Sequence, residues 1–301
     1  MMFDPLSFAA LAAMAPPPAA MVWMLPAVAT QDEAAKALQD VEAVVAKYQA
    51  EEEEFSKKYR AATTDEEREK LFAGGTPNPS KYFAELQTLA EKHRKTEAAA
   101  RAASWVISMA GRGGGADESA WALEMMLTDF IDTDHIASVP QMCSSLNTRN
   151  IGILERIRTE SDNERAQALA AYFRGNQLLT SGKAARELAE PGSTGDQYLQ
   201  YEIDSIDDEL KETLKTSDPD KLTKSGESLL EECMKKYADV EIYPGRGMKV
   251  GPKAEGALFE ARNLQIGDMS PDIEGVDAEG ITFKLSDYRG QVVVLDFWGF
   301  W

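Results

Sequence analysis

Apolar residues recur at intervals of three and four positions from Gln31 onward, which is the spacing of one face of an α-helix. Clusters of glycine and proline interrupt the pattern at residues 74–79, 111–115 and 191–195, where they indicate turns between elements. The clearest apolar stripes are Ala35, Leu38, Val41, Val45 and Tyr48; Tyr82, Leu86, Leu89 and His93; and Trp121, Met125, Leu127 and Phe130. The pattern predicts a mainly α-helical domain over residues 31–243, with helical hairpins packed as a bundle or a short solenoid.

Two helix starts carry a capping pattern. Thr64 is followed three residues later by Glu67, and Ser161 is followed three residues later by Glu164. A hydroxyl at the helix start and a carboxylate three residues on can bond the free amide groups of the first turn. We therefore expect one helix to begin after Thr64 and another after Ser161.

Residues 244–257 contain Gly245, Gly247, Gly251 and Pro252. Glycine and proline at this density are typical of a connection between domains, so the segment is predicted to be a linker. The glycines around Arg246 could also suggest a phosphate-binding loop. That interpretation is weaker because no strand, loop and helix in succession surround them.

The pattern changes after the linker, in residues 258–301. Ile281, Phe283 and Leu285 alternate with polar residues, which is the pattern of a strand with one buried face. The turn residues 277–280 precede this strand and predict a hairpin with residues 272–276. Ser286 is expected to cap a short helical turn, and Gly290 is expected to end it.

A continuous apolar run follows at residues 292–297. Runs of this kind are typical of strands that are buried on both faces in a parallel sheet.

Composition narrows the classes of function. The chain has 51 acidic and 32 basic residues and a net charge of -19, so nucleic acids and anionic lipid surfaces would be repelled. Cys143 and Cys233 are far apart in sequence and form neither a Cys-X-X-Cys pair nor a zinc motif. Two free, buried thiols are favoured over a mutual disulfide.

Residues 1–30 are rich in alanine, methionine, leucine and valine, and Ala27-Val28-Ala29 is an acceptable signal-peptidase site. The positive start of an ordinary signal is missing, because Asp4 lies there and the first basic residue is Lys36. An atypical signal, with a periplasmic or secreted protein, is therefore favoured, and a cytoplasmic leader stays open. Several prolines in the segment argue against a stable membrane span.

Four segments near the C-terminus follow one another in a characteristic order: residues 263–267, 270–272, 280–290 and 292–301. Together they resemble the opening of a redoxin domain, as in the AhpC/TSA and TlpA/ResA-like branches of the thioredoxin superfamily. The resemblance covers about the last forty residues. It implies that residues 258–301 are the incomplete start of an α/β thioredoxin-like fold.

The resemblance also implies roles for three residues. Trp301 corresponds to the tryptophan immediately before the attacking cysteine, and Trp298 to the aromatic residue at the strand end. Asp296 corresponds to the buried carboxylate that exchanges a proton with the second cysteine, although many TlpA-like relatives have asparagine there. A carboxylate between Leu295 and Phe297 is expected to be desolvated, with a raised pKa. The alternative is an Asp296 that simply faces solvent at the end of a strand.

The two expected active-site cysteines are missing from the sequence, because it ends at Trp301. Three explanations stay open: a protein that was deliberately shortened for expression, a fragmentary gene, and a stop codon that the cell decodes as selenocysteine. The resemblance implies a thiol-disulfide oxidoreductase that needs no cofactor and acts on a protein disulfide or a small thiol. This chain would be inactive without its nucleophile.

Two alternative functions remain. The first is a thiol peroxidase with a peroxide substrate, although the threonine usual in that class is absent from the Trp-Gly-Phe-Trp ending. The second is a non-enzymatic helical scaffold that binds a protein partner and carries a vestigial redoxin segment. Isolated histidines such as His93 and His135 are expected to be structural. Residues 51–54, four consecutive glutamates, are expected to form a solvated helix face rather than a metal site.

Overall fold

The computed structural model describes residues 31–112 and 115–299, so the predicted leader, residues 1–30, lies outside the described residues. The chain is mainly helical, as predicted. The helices are α1 (Gln31–Ala61), α2 (Asp65–Ala73), α3 (Phe83–Lys92), α4 (Glu97–Met109), α5 (Ala116–Asp129), α6 (Val139–Met142), α7 (Thr148–Glu160), α8 (Glu164–Ala189), α9 (Gln197–Ser205), α10 (Asp208–Lys215), α11 (Pro219–Lys236) and α12 (Val250–Asn263). Two short strands follow, β1 (Glu274–Val276) and β2 (Thr282–Lys284).

Helix α8 is the centre of the helical region. Its residues Ala166 and Ala170 belong to the core formed with α1, α3, α4, α5 and α7. Leu169 belongs to a second core with α11 and α12, and Leu178 to a third with α9, α10 and α11. A helix that is apolar on all sides must be covered on all sides. Helices α6, α7 and α9 to α12 therefore pack against α8, whereas α1, α3 and α5 pack against α4.

Helices α8 and α11 approach each other closely at two glycines. A Cβ atom placed on Gly226 of α11 would lie 2.8 Å from the carbonyl oxygen of Gly175 on α8. A Cβ atom on Gly175 would lie 2.9 Å from the Leu230 side chain. Real Cβ atoms do not approach other atoms this closely, so the two glycines set the distance between these helices.

The two predicted caps have different outcomes. Thr64 and Glu67 form the predicted capping box at the start of α2. Ser161 does not cap α8, because it ends α7 and its hydroxyl donates to the carbonyl of Ile131. Asn163 is the N-cap of α8, where its side-chain oxygen accepts from the Ala166 amide at 2.9 Å.

The predicted linker at residues 244–257 is wrong over its second half. Helix α12 begins at Val250 and packs against α8 and α11. Val250, Ala254 and Leu258 are spaced by four residues and are all buried in the second core. Pro252 is compatible with this helix because it lies near the start, where amide groups have no partner inside the helix.

The predicted hairpin is confirmed. Strands β1 and β2 pair antiparallel, with Gly275 opposite Phe283. The predicted strand at residues 292–297 is wrong in this structure, because the segment has no regular secondary structure and all its residues are exposed. A strand needs a neighbour for its backbone groups, and the sheet in the described residues contains β1 and β2 alone.

Candidate functional site

The turn between β1 and β2 is built by one carboxylate. Asp277 accepts hydrogen bonds from the backbone amides of Glu279 at 3.0 Å and Ile281 at 2.8 Å. Gly280 follows with a φ of 84°, a conformation that favours glycine. The turn residues predicted from the sequence therefore form this turn, and they fix the register of the hairpin.

A second carboxylate ties the start of the hairpin to its end. Asp272 accepts from the Ser286 amide and from the Ser286 hydroxyl, both at 2.8 Å. These bonds lower the pKa of the Asp272 carboxyl below its usual range. Ser286 is thus a partner of Asp272 and not the predicted cap of the next turn.

The short helical turn after β2 is a 3-10 helix at Leu285–Tyr288. It is capped by Asp287, whose carboxylate accepts from the Lys284 amide at 2.9 Å. Gly290 follows with a φ of 87°, so the predicted stop lies where the chain needs glycine.

Asp296 and Trp298, the two residues assigned by resemblance that the structure describes, do not lie in an enclosed site. Asp296 is exposed, so the expected desolvation of its carboxylate is absent. Trp298 is 77% exposed, and Val294 nearby is 87% exposed. Trp301 lies outside the described residues. The hairpin, the turn and the apolar run follow one another along the chain, and every residue of the apolar run is exposed.

Both cysteines are free and buried, as predicted. Burial raises the pKa of Cys143 to about 12, and burial also raises the pKa of Cys233 to about 12. A thiol reacts as the thiolate, so both cysteines are protected against oxidation and exchange near neutral pH.

The histidines and the glutamate run have local roles. The His135 Nε2 atom lies 2.9 Å from the Glu97 carboxylate, a partner that the sequence did not reveal. Glu53 and Glu54 pair with lysines four residues later on α1. Glu51 accepts from Tyr82, whereas Glu52 accepts from Tyr48 on the same helix and pairs with Arg112. Within the described residues, no group of acidic, histidine or cysteine side chains is arranged to hold a metal ion.

A buried polar network between α7 and α8 was missed from the sequence. Arg174 is 3% exposed, and its Nε atom donates to Glu155 at 3.0 Å. The other Glu155 oxygen accepts from Arg158 at 2.6 Å. Gln177, one turn further along α8, donates to the carbonyls of Cys143 and Ser145. The signal was present, because Arg174 and Gln177 lie on the same face of α8 as the buried Ala170.

An open groove of about 710 Å³ lies beside this network, between α7, α8 and α11. Its charged lining contains both signs: Glu155, Asp218, Asp220 and Glu232 against Arg158, Lys221 and Lys224. The acidic side chains outnumber the basic ones, so the groove favours no particular anion. On the α7 side of the groove, Arg158 already forms an ion pair with Glu155.

Comparison with protein-family models, with curated proteins and with solved structures gave no match to this chain. Among the described residues, no helix has both the length and the apolar character needed to cross a bilayer.

Proposed function

We propose that residues 258–301 are the first part of a redoxin-class, thioredoxin-like domain, and that the protein is a thiol-disulfide oxidoreductase. The order of local elements carries this proposal. A tied hairpin, a 3-10 turn and Gly290 at positive φ lead directly into the apolar run. This order matches the motifs on which the resemblance depends.

In the proposed reaction, a thiolate or selenolate encoded after Trp301 attacks a disulfide of the substrate. One new bond to sulfur forms, the substrate disulfide breaks, and one substrate thiolate leaves. A second thiol of the protein then attacks the mixed bond and releases the reduced substrate. Asp296 would exchange a proton with that second thiol, and Trp298 would support the strand end. We also propose that the reaction takes place outside the cytoplasm, where disulfide substrates persist.

The exposed apolar run supports a domain that is completed by further elements. Val292, Val294, Phe297 and Trp298 are all largely exposed. Isolated hairpins are marginally stable, and uncovered apolar strands tend to pair with other chains. In a complete thioredoxin-like sheet the same run would be an inner strand with both faces covered.

The decisive experiment starts from the nucleotides after the Trp301 codon. A cysteine or selenocysteine codon followed by two codons and a cysteine codon is expected in that frame. The protein extended through the next stop should then reduce insulin disulfides, and the chain that ends at Trp301 should not. An unrelated downstream sequence, or an inactive extended protein that contains the motif, would contradict the oxidoreductase.

Three variants of the extended protein sharpen the assay. Replacement of Cys143 or Cys233 by alanine should leave the insulin rate per folded molecule unchanged, because both thiols are buried. Asp296→Asn should slow the resolving step and move the pH profile of the rate. An Asp296→Asn protein with the unchanged profile would remove the proposed proton-transfer role.

Amide exchange tests the domain independently of activity. In the chain that ends at Trp301, amides 292–297 should exchange rapidly, because they lack regular hydrogen bonding. In the extended protein they should become strongly protected. Equal rates in both proteins would show that the run is not an inner strand.

A second function, binding of a protein partner by the helical region, is favoured by a separate observation. Tyr198 and Tyr201 on α9 are among its most exposed large side chains. The peroxidase alternative has no such structural support.

A further inference from the structure

Helix α9 has one buried and one open face. Leu199 and Ile203 pack into the third core, at 2% and 4% exposure. Tyr198 and Tyr201 point away from that core and are 81% and 75% exposed. Residues three apart are neighbours on a helix surface. The two tyrosines therefore form an aromatic patch on the outside of the helical region.

The helix is held firmly at both ends. The Asp196 carboxylate accepts from the amides of Tyr198 and Leu199, which caps the first turn. Beyond the last turn, Asp207 caps α10 and also accepts from the amide and hydroxyl of Thr148, both at 2.7 Å. The tyrosines are thus presented on a preorganised surface, which lowers the entropy cost of binding.

The surroundings of the patch are acidic. Residues 190–214 contain eight acidic residues and one basic residue, Lys211. Glu202 is also exposed, and it lies four residues after Tyr198, so these two side chains are neighbours on the helix surface. Within the described part of the chain, no ion pair involves Glu202, whereas Glu53 and Glu54 on α1 each pair with a lysine. The carboxylate of Glu202 is therefore available to a cation from outside.

We propose that the α9 surface, formed by Tyr198, Tyr201 and Glu202, binds an arginine-rich segment of a protein partner. An arginine guanidinium stacks on a tyrosine ring and also pairs with a carboxylate. Tyrosine is common in protein interfaces because its ring is apolar and its hydroxyl is polar. The negative charge of this segment selects a basic partner and repels nucleic acid. This inference is independent of the proposed thiol chemistry.

The test is fluorescence anisotropy with a labelled peptide of alternating arginine and glycine. Binding to the wild-type chain is expected, and a peptide with glutamate in place of arginine should not bind. The double variant Tyr198→Ser with Tyr201→Ser keeps the net charge. It should weaken binding about tenfold, the loss expected for two exposed cation–π contacts. A matched control is Phe259→Ser on α12, which removes another half-exposed aromatic ring and should have no effect.

Two variants with the same net charge distinguish a local contact of the peptide with Glu202 from attraction by the overall negative charge of the protein. Glu202→Gln and Glu53→Gln change the net charge equally, but only Glu202→Gln should clearly weaken binding of the arginine peptide. Circular dichroism should show the same helical content and melting for every variant, because all these side chains are exposed. The proposal is overturned if the peptide does not bind, if the tyrosine variant binds equally well, or if the two glutamine variants behave alike.

Discussion

Similar apolar side chains are buried in the helical region, residues 31–263, but exposed in the C-terminal segment, residues 264–299. Leu154 on α7 is completely buried, whereas Leu295 in the C-terminal segment is 49% exposed. No residue from 264 to 299 is buried. An apolar pattern shows that a segment needs cover, but whether it is buried depends on the elements available to cover it.

Helix α12 illustrates the favourable case. Its apolar residues meet α8 and α11, which already provide a complementary surface, and the second core results. The run at residues 292–297 is more apolar than α12, yet the only strands in the described residues are the short β1 and β2. Cover by neighbouring elements, and not local hydrophobicity, therefore separates the buried region from the exposed one.

The largest expected effect comes from a matched pair of leucines. Leu154→Ala should lower the free energy of unfolding by about 2–5 kcal/mol, because it leaves a cavity in the first core. Leu295→Ala should change the unfolding curve much less, because about half of that side chain is already exposed to solvent. Urea denaturation followed by circular dichroism measures both. A similar loss in the two variants would show that the C-terminal segment contributes to the main core.

The next effect concerns the contact between α8 and α11. Gly226→Ala should lower the free energy of unfolding by about 3 kcal/mol, because the new methyl group meets the α8 backbone and forces the helices apart. Gly152→Ala is the control. A Cβ atom there has open space within 4 Å, so alanine should raise stability by about 0.5–1 kcal/mol. Equal signs for the two variants would contradict the close helix approach.

The polar network in the helical region gives a smaller effect. Glu155→Gln should lower the free energy of unfolding by about 1–3 kcal/mol, because the buried Arg174 loses a charged partner. Glu53→Gln removes an exposed pair on α1 and should not change the unfolding curve measurably. If both variants unfold like the wild type, the Arg174 guanidinium is adequately solvated without Glu155.

The helices and the hairpin could be predicted because their signals are local. The three-and-four spacing indicated α1, α3 and α5, and Thr64 marked the start of α2. The residues of the β1–β2 turn form hydrogen bonds within the turn itself, so the turn could be predicted without the rest of the chain.

The remaining features depend on contacts between distant segments. Gly251 and Pro252 suggested a linker, but Gly251 lies against Ala238 and the helix is stabilised by packing. Arg174 could be placed on a buried face, but its partner Glu155 lies on another helix. The environment of Asp296 also could not be derived, because it depends on which strands flank residues 292–297.

The smallest expected effect lies in the C-terminal segment and should not reach the helical region. Hydrogen bonds from Ser286 lower the pKa of Asp272, so their contribution to the hairpin is present above the ordinary aspartate pKa and is lost as pH falls through the lowered value. The Ser286 amide signal in NMR spectra should therefore titrate with a midpoint below about 3.9. Ser286→Ala removes the hydroxyl donor and should move the midpoint of residue 286 upward, whereas Asp272→Asn should abolish the titration.

Thermal unfolding of the helical region should be the same in the wild type and in both variants. A midpoint at the ordinary aspartate value in the wild type would mean that Asp272 does not tie the hairpin in solution, and coupled changes in the melting curve would mean that the two regions are not separate in stability.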